Sequence, residues 1–180
     1  MWAGFFWGVG VVEAGGIRTG RLDLLPLGVE HAAEMAGVLG DPALHAFIGG
    51  APADPAALRE RYERLVAGSP DPAVSWCNWV IRLRDEACLV GTVQATVTGP
   101  VHERVAEIAW VVGTPWQGRG IASEAARGLV AWLGRHEVRI VIAHIHPEHR
   151  ASAAVATAAG LSATDVVHEG EIRWTGPAGG

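Results

Sequence analysis

The stretch Ala106-Glu-Ile-Ala-Trp-Val-Val-Gly-Thr-Pro-Trp-Gln-Gly-Arg-Gly-Ile-Ala-Ser-Glu-Ala125 constrains this chain more than any other. Its apolar run reads as a strand and stops at Gly113-Thr-Pro115. Ala122, Ala125, Ala126, Leu129 and Leu133 then recur at helical spacing. Between strand and helix lies Gly118-Arg-Gly120. The first N–H groups of a helix have no partner inside it and carry partial positive charge. Gly118 and Gly120 let an anion approach that backbone, and Arg119 can add a side-chain contact. The pattern suits a diphosphate. It is neither a P-loop, since no Gly-Lys-Ser/Thr follows, nor a dinucleotide fingerprint, since the third glycine is missing. A glycine-bearing helix start is also a common plain turn, so the loop needs support from the rest of the chain.

That support begins with the order of elements. Residues 18–27 alternate loosely and predict a first strand. Residues 30–39 have helical spacing, and Asp54-Pro55 reads as an N-cap with a first-turn proline, opening a helix to about residue 67. Residues 75–83 and 88–98 predict a hairpin turning near Asp85-Glu86, and 104–112 a third strand. After the helix of residues 120–135 come a β-branched strand (138–146), an Ala-rich helix (151–159) ended by Gly160, and a final strand (165–174). A meander combined with parallel crossovers gives an α+β class around one mixed sheet. One domain over 18–176 is expected, with a flexible extension over 1–17 and a tail over 177–180.

Bulk properties narrow the function. Hydrophobic residues are 49% and charged residues 18%, a globular composition. The net charge of −5 argues against nucleic acid and suits an amine-bearing substrate. All 14 basic residues are arginine, which with abundant Ala and Gly fits a GC-rich bacterial genome. Residues 1–16 lack a positive n-region, and no apolar run reaches about 18 residues, so neither a secretory signal nor a membrane span is expected. In the hairpin register Cys88 lies opposite about Leu83, far from Cys77. Two free thiols suit a reducing, cytoplasmic setting.

Gln117-Gly-Arg-Gly-Ile-Ala122 resembles the Gln/Arg-x-x-Gly-x-Gly/Ala signature of the GNAT N-acetyltransferases. The flanking Ala-Glu-Ile strand and Ala-Ser-Glu-Ala helix are similar to the branch containing ribosomal-protein alanine N-acetyltransferases. So are His146-Pro-Glu-His-Arg-Ala-Ser152, the turn Ala158-Ala-Gly-Leu161, and the opening Thr19-Gly-Arg-Leu-Asp-Leu-Leu-Pro-Leu27. The resemblance spans roughly residues 19–174, with its motifs in the family's order. It implies a single domain whose mixed, mostly antiparallel central sheet is flanked by helices, with a splayed strand pair forming the cofactor slot. It implies acetyl-CoA as co-substrate and no metal. The backbone of Gln117, Gly118, Arg119, Gly120, Ile121 and Ala122 would hold the pyrophosphate. Trp110, Val111 and Val112 would pair with the pantetheine amides like an added strand, set apart from the next strand by a bulge. A backbone N–H there would hold the oxyanion. The resemblance also implies a homodimer, although no heptad or large patch demands one.

The implied reaction is direct attack of an amine on the thioester with both substrates bound. The amine must first lose a proton. Glu107, on the coenzyme-binding strand, is the candidate base; its plain alternative is a solvent-facing strand glutamate paired with a cation. The tyrosine that protonates the thiolate in many relatives is missing, since Tyr62 is the only tyrosine and Ala156 stands in the matching place. Ser152 is the substitute donor, its plain alternative being a first-turn serine serving its own backbone. His149 stands where many relatives carry asparagine. His45, Phe47 and Trp76 are candidates for acceptor contact, with helix packing or a sheet face as their plain alternatives. His144, His146 and His149 invite a zinc reading, but no Asp or Cys evidently completes a set.

Two other functions fit less of the pattern. A non-catalytic acyl-CoA-binding protein would explain the missing tyrosine, and a ligand-free interaction module would explain the apolar start. Coenzyme A binding separates the module from the other two. Thiol release with amines separates the enzyme from the carrier.

Overall fold

The computed structural model describes residues 10–179. Its spine is a long hairpin of β3 (Val74–Leu83) and β4 (Cys88–Thr98). The pair closes with Leu83 opposite Cys88, and both cysteines are free. On one side lie β2 (Leu22–Pro26) and then β1 (Ile17–Arg18), which pair with each other around a tight turn at residues 19–21. On the other lie β5 (Arg104–Val112), β6 (Val138–Ile145), β8 (Glu171–Pro177) and β7 (Ser162–His168). The result is one open, mixed eight-stranded sheet. Every neighbouring pair is antiparallel except β5 and β6, which are joined by a helical crossover.

The helices divide between the two faces because adjacent strand residues point opposite ways. Trp79 packs into the cluster with α4 (Ile121–Arg135) and α5 (Arg150–Ala158). Its neighbour Val80 packs beneath α1 (Ala32–Val38) and α3 (Pro55–Ala67). A short α2 (His45–Ile48) lies between α1 and α3 in the chain. The α4 stripe buries Ile121, Ala125, Ala126, Leu129, Val130, Trp132 and Leu133. Trp132 meets Trp79 edge-on at 5.1 Å, an arrangement worth about 0.5–1.5 kcal/mol beyond the area buried.

The structure differs from the sequence reading at both ends. Residues 10–17, set apart above within an extension, lie against the sheet. Val12 is buried, its amide donates to Ser75 Oγ, and the Trp79 indole donates to Gly15 O at 2.7 Å. Residues 1–9 lie outside the described residues. The single final strand expected over 165–174 is instead the β7–β8 hairpin. Glu169 and Gly170 both have positive φ, and such a two-residue turn reverses the chain. No helix among the described residues is long and apolar enough to cross a membrane.

Candidate active site

Parallel pairing of β5 with β6 runs only from Arg104–Val138 to Glu107–Ile142. Beyond that point β5 stays paired with β4 alone, and β6 with β8 alone. The two strands therefore separate over residues 108–112, leaving that edge of β5 without a strand partner among the described residues. The register irregularity between these strands falls at Arg104/Val105, at the closed end of the pair, rather than beside the opening.

At the open end the chain turns through Gly113 and a single helical turn, Thr114–Trp116, into α4. Gly118 (φ 72°) and Gly120 (φ 74°) adopt the left-handed conformation that disfavours any side chain. A Cβ at Gly118 would meet nothing within 4 Å, so the turn is open to approach. Gly120 is the N-cap of α4, and no side chain caps it. Glu124 is the first residue of the helix bonded back, to Gly120 O at 3.0 Å; among the described residues no turn, cap or side-chain bond uses the amides of Gly118 to Ser123.

Neighbouring groups hold this turn from outside. The Gln117 side-chain amide donates to Val112 O at 3.0 Å. Glu124 accepts from the Thr19 hydroxyl and from the Arg21 amide and guanidinium at 2.6–2.8 Å. Burial pushes the Glu124 carboxyl up, but those three donors together bring it below the ordinary range. Glu86, from the β3–β4 turn, accepts from the Trp116 indole and from Arg119 at 2.7 Å, and both bonds hold its carboxyl low. Arg119 thus spends its side chain on Glu86 and offers the turn only its backbone.

Two cavities flank the splayed strands. The helix-end cavity, about 640 Å³, is lined by Trp110, Val111, Val112, Gln117 to Ala122 except Arg119, and the start of α5. The strand-face cavity, about 470 Å³, lies under α3 and is lined by His45, Phe47, Tyr62, Glu107 and His144 among others. Phe47, Trp110, Val111, His149 and Ser152 line both, so the cavities meet at the opening between β5 and β6. Trp76 lines neither: it stands in the cross-strand row Trp76–Thr96–Glu107, partly exposed on β3.

Three groups at this junction have defined partners. Glu107 meets His144 Nδ1 at 3.1 Å. His149 is the N-cap of α5, its Nδ1 accepting from the Ser152 amide at 3.3 Å. Burial, with His146 nearby, holds the His149 pKa below its ordinary value and keeps the ring neutral, as the cap requires. The Ser152 hydroxyl has no partner among the described residues. His146 and His149 both face the Phe47 ring, with centroids 5.8 and 4.2 Å away. Among the described residues no three His, Cys, Asp or Glu are grouped to hold a metal ion.

Helical spacing places Tyr62 on the apolar face of α3 with Leu58, without marking it as a site residue. Its hydroxyl is buried beside the strand-face cavity with no hydrogen-bond partner among the described residues, and burial pushes its pKa up to about 12. Only its place on the inward face of α3 hinted at this.

A family model described as an acetyltransferase (GNAT) domain matches residues 21–162. Solved structures match in fold. An acetyltransferase from Bacillus anthracis is 18% identical, with 91% of this chain and 99% of that one covered and a TM-score of 0.76. RimL, a ribosomal L7/L12 α-N-protein acetyltransferase solved with coenzyme A, is 15% identical, covering 92% and 99%, with a TM-score of 0.75. AAC(6′)-Ib, solved with parmomycin and acetyl-CoA, is 17% identical, covering 87% and 93%, with a TM-score of 0.71. No curated protein sequence matched.

Proposed function

The chain belongs to the GNAT acetyltransferase family, and from that premise we propose that it transfers the acetyl group of acetyl-CoA to a primary amine, on a peptide N-terminus or a small molecule. The observation that carries this reading is the open run of amides from Gly118 to Ser123, facing a cavity that meets a second one at the strand opening. Fold relatives solved with coenzyme A or acetyl-CoA support it.

The residues present fit the coenzyme. The amides of Gly118 to Ser123 would bind its diphosphate, aided by the positive end of α4. The free edge of β5 at Trp110 to Val112 would bond to the pantetheine amides and aim the thioester at the junction. A β5 N–H there would bear the charge that develops on the carbonyl oxygen. Bound coenzyme supplies the acetyl group as an activated thioester.

The acceptor would enter through the strand-face cavity, past His45, Phe47 and Tyr62. Its proton would leave toward Glu107 and His144, and the free hydroxyl of Ser152 would reach the sulfur. With Ala156 at the place on α5 that the family's tyrosine would take, the thiolate's proton would come by another route. Joint binding of both substrates supplies much of the rate. An acetyl-CoA turnover screen against N-terminal peptides and small amines, read as free thiol, tests the proposal. Turnover with at least one amine class is expected. Coenzyme A binding with no turnover on any amine would favour a carrier, and no binding would refute the whole reading.

A further inference from the structure

Glu107 and His144 form a pair whose two members have different chemical roles. Glu107 occupies the last paired position of β5, opposite Ile142. His144 lies two residues beyond Ile142 on β6, so its side chain leaves the same face of the sheet. Both line the strand-face cavity at the point where the strands separate. The carboxylate is 54% exposed and the imidazole only 18%, so the ring sits deeper.

A carboxylate can only accept, so the 3.1 Å contact is made by Nδ1–H donating to Glu107. That fixes the tautomer and leaves the Nε2 lone pair available. Nε2 enters no hydrogen bond among the described residues. Other titratable or charged groups near the ring include His168 on β7, its centroid 5.6 Å away, Arg173, the register partner on β8, and His146 and Glu171, which line the same cavity. None of them hydrogen-bonds to Nε2 among the described residues. As a class, imidazoles titrate closer to neutrality than carboxylates, which favours them as bases near neutral pH.

We infer that the proton-accepting atom is His144 Nε2, and that Glu107 is a positioning residue that orients the ring. The inference rests on the acetyltransferase reading and moves the base from Glu107, where the sequence pointed, to its partner. The acceptor ammonium gives one proton to Nε2, and its freed lone pair forms the new C–N bond to the acetyl carbon. The C–S bond breaks with its electrons on sulfur, which takes a proton through Ser152 or water. The nitrogen loses its remaining excess proton, and His144 its acquired one, to solvent.

His144→Asn tests this, because its amide N–H can still donate to Glu107 while Nε2 is gone. The expected loss in kcat/KM for the amine is about 100-fold or more, with acetyl-CoA affinity by calorimetry unchanged. In His144→Ala, added imidazole should restore activity at least about tenfold, and it should not do so in Glu107→Ala. Nitrogen NMR of the ring, without coenzyme, should show the proton on Nδ1 and none on Nε2. Activity of His144→Asn within about threefold of the unchanged protein, or the opposite tautomer, overturns the inference and leaves the acetyltransferase reading standing. An unchanged protein that binds no acetyl-CoA overturns both.

Discussion

Two helices of this protein begin in opposite ways. At α3, Asp54 accepts from the Ala57 amide at 2.8 Å and Pro55 fills the first position, where an N–H would otherwise be unbonded. At α4, a left-handed glycine stands at the cap, no side chain reaches back, and the amides face a cavity. The first helix satisfies its own end and gains stability. The second leaves donors available, and the supports around it (Glu86, Arg21, Gln117) hold its shape without occupying them. The helix α5 lies between the two: His149 caps the Ser152 amide, yet the Ser152 hydroxyl remains free. Among these three helix beginnings, the available donors and acceptors line the helix-end cavity.

The contrast can be broken most severely at Gly120. Replacing it with valine places a β-branched residue at φ 74° and turns the neighbouring amides. The strain costs about 1–2 kcal/mol, and losing one or two hydrogen bonds to a charged ligand costs about 1.5–3 kcal/mol each. Gly120→Val should raise the acetyl-CoA KM on the order of 100-fold, measured by steady-state kinetics. An unchanged KM would remove the distinction between the two helix ends.

Ser152→Ala removes a hydroxyl but keeps the amide that His149 accepts from. It should lower kcat by about tenfold, less than acid catalysis usually contributes because a thiolate leaves readily, with little change in either KM. No change in kcat would make Ser152 a structural first-turn residue.

Asp54→Ala sharpens the comparison from the closed end. It should cost about 1 kcal/mol in denaturant unfolding and leave the acetyl-CoA KM untouched. The smallest effect expected is a pH dependence at α5. The native pKa of His149 lies below its unfolded value, so the unfolded chain binds the extra proton first. The stability from this cap is fully present above about pH 6.5 and declines as pH falls through the window below it. His149→Asn should retain the cap and flatten that part of the stability curve, followed by chemical denaturation between pH 7 and pH 5, roughly the window in which histidine titrates.

The turn before α4 was legible because few residues but glycine tolerate its backbone, and composition alone reveals that. The hairpin of β7 and β8 was hidden because Glu169, a residue that seldom takes positive φ, occupies half of its turn. The Glu107–His144 contact could not be read because it depends on the parallel register of β5 and β6, which no local pattern encodes. Arg119 looked available beside the glycines, but its partner Glu86 arrives from the tip of a distant hairpin. Residues 10–17 lacked clear alternation, and the indole of Trp79 and the hydroxyl of Ser75, which hold them, lie some sixty residues away. Residue type alone groups Trp76 with the acceptor site; it shares a sheet face with Glu107 but lies outside the lining of either cavity.

Amide correlation NMR during addition of coenzyme A tests the main claim most directly, because it observes each N–H by itself. The resonances of Gly118, Gly120, Ile121 and Ala122 should move together and saturate, while that of Ala57 at the capped end of α3 stays still. Saturable binding that leaves those four amides unmoved would contradict the account, because the diphosphate would then be held elsewhere.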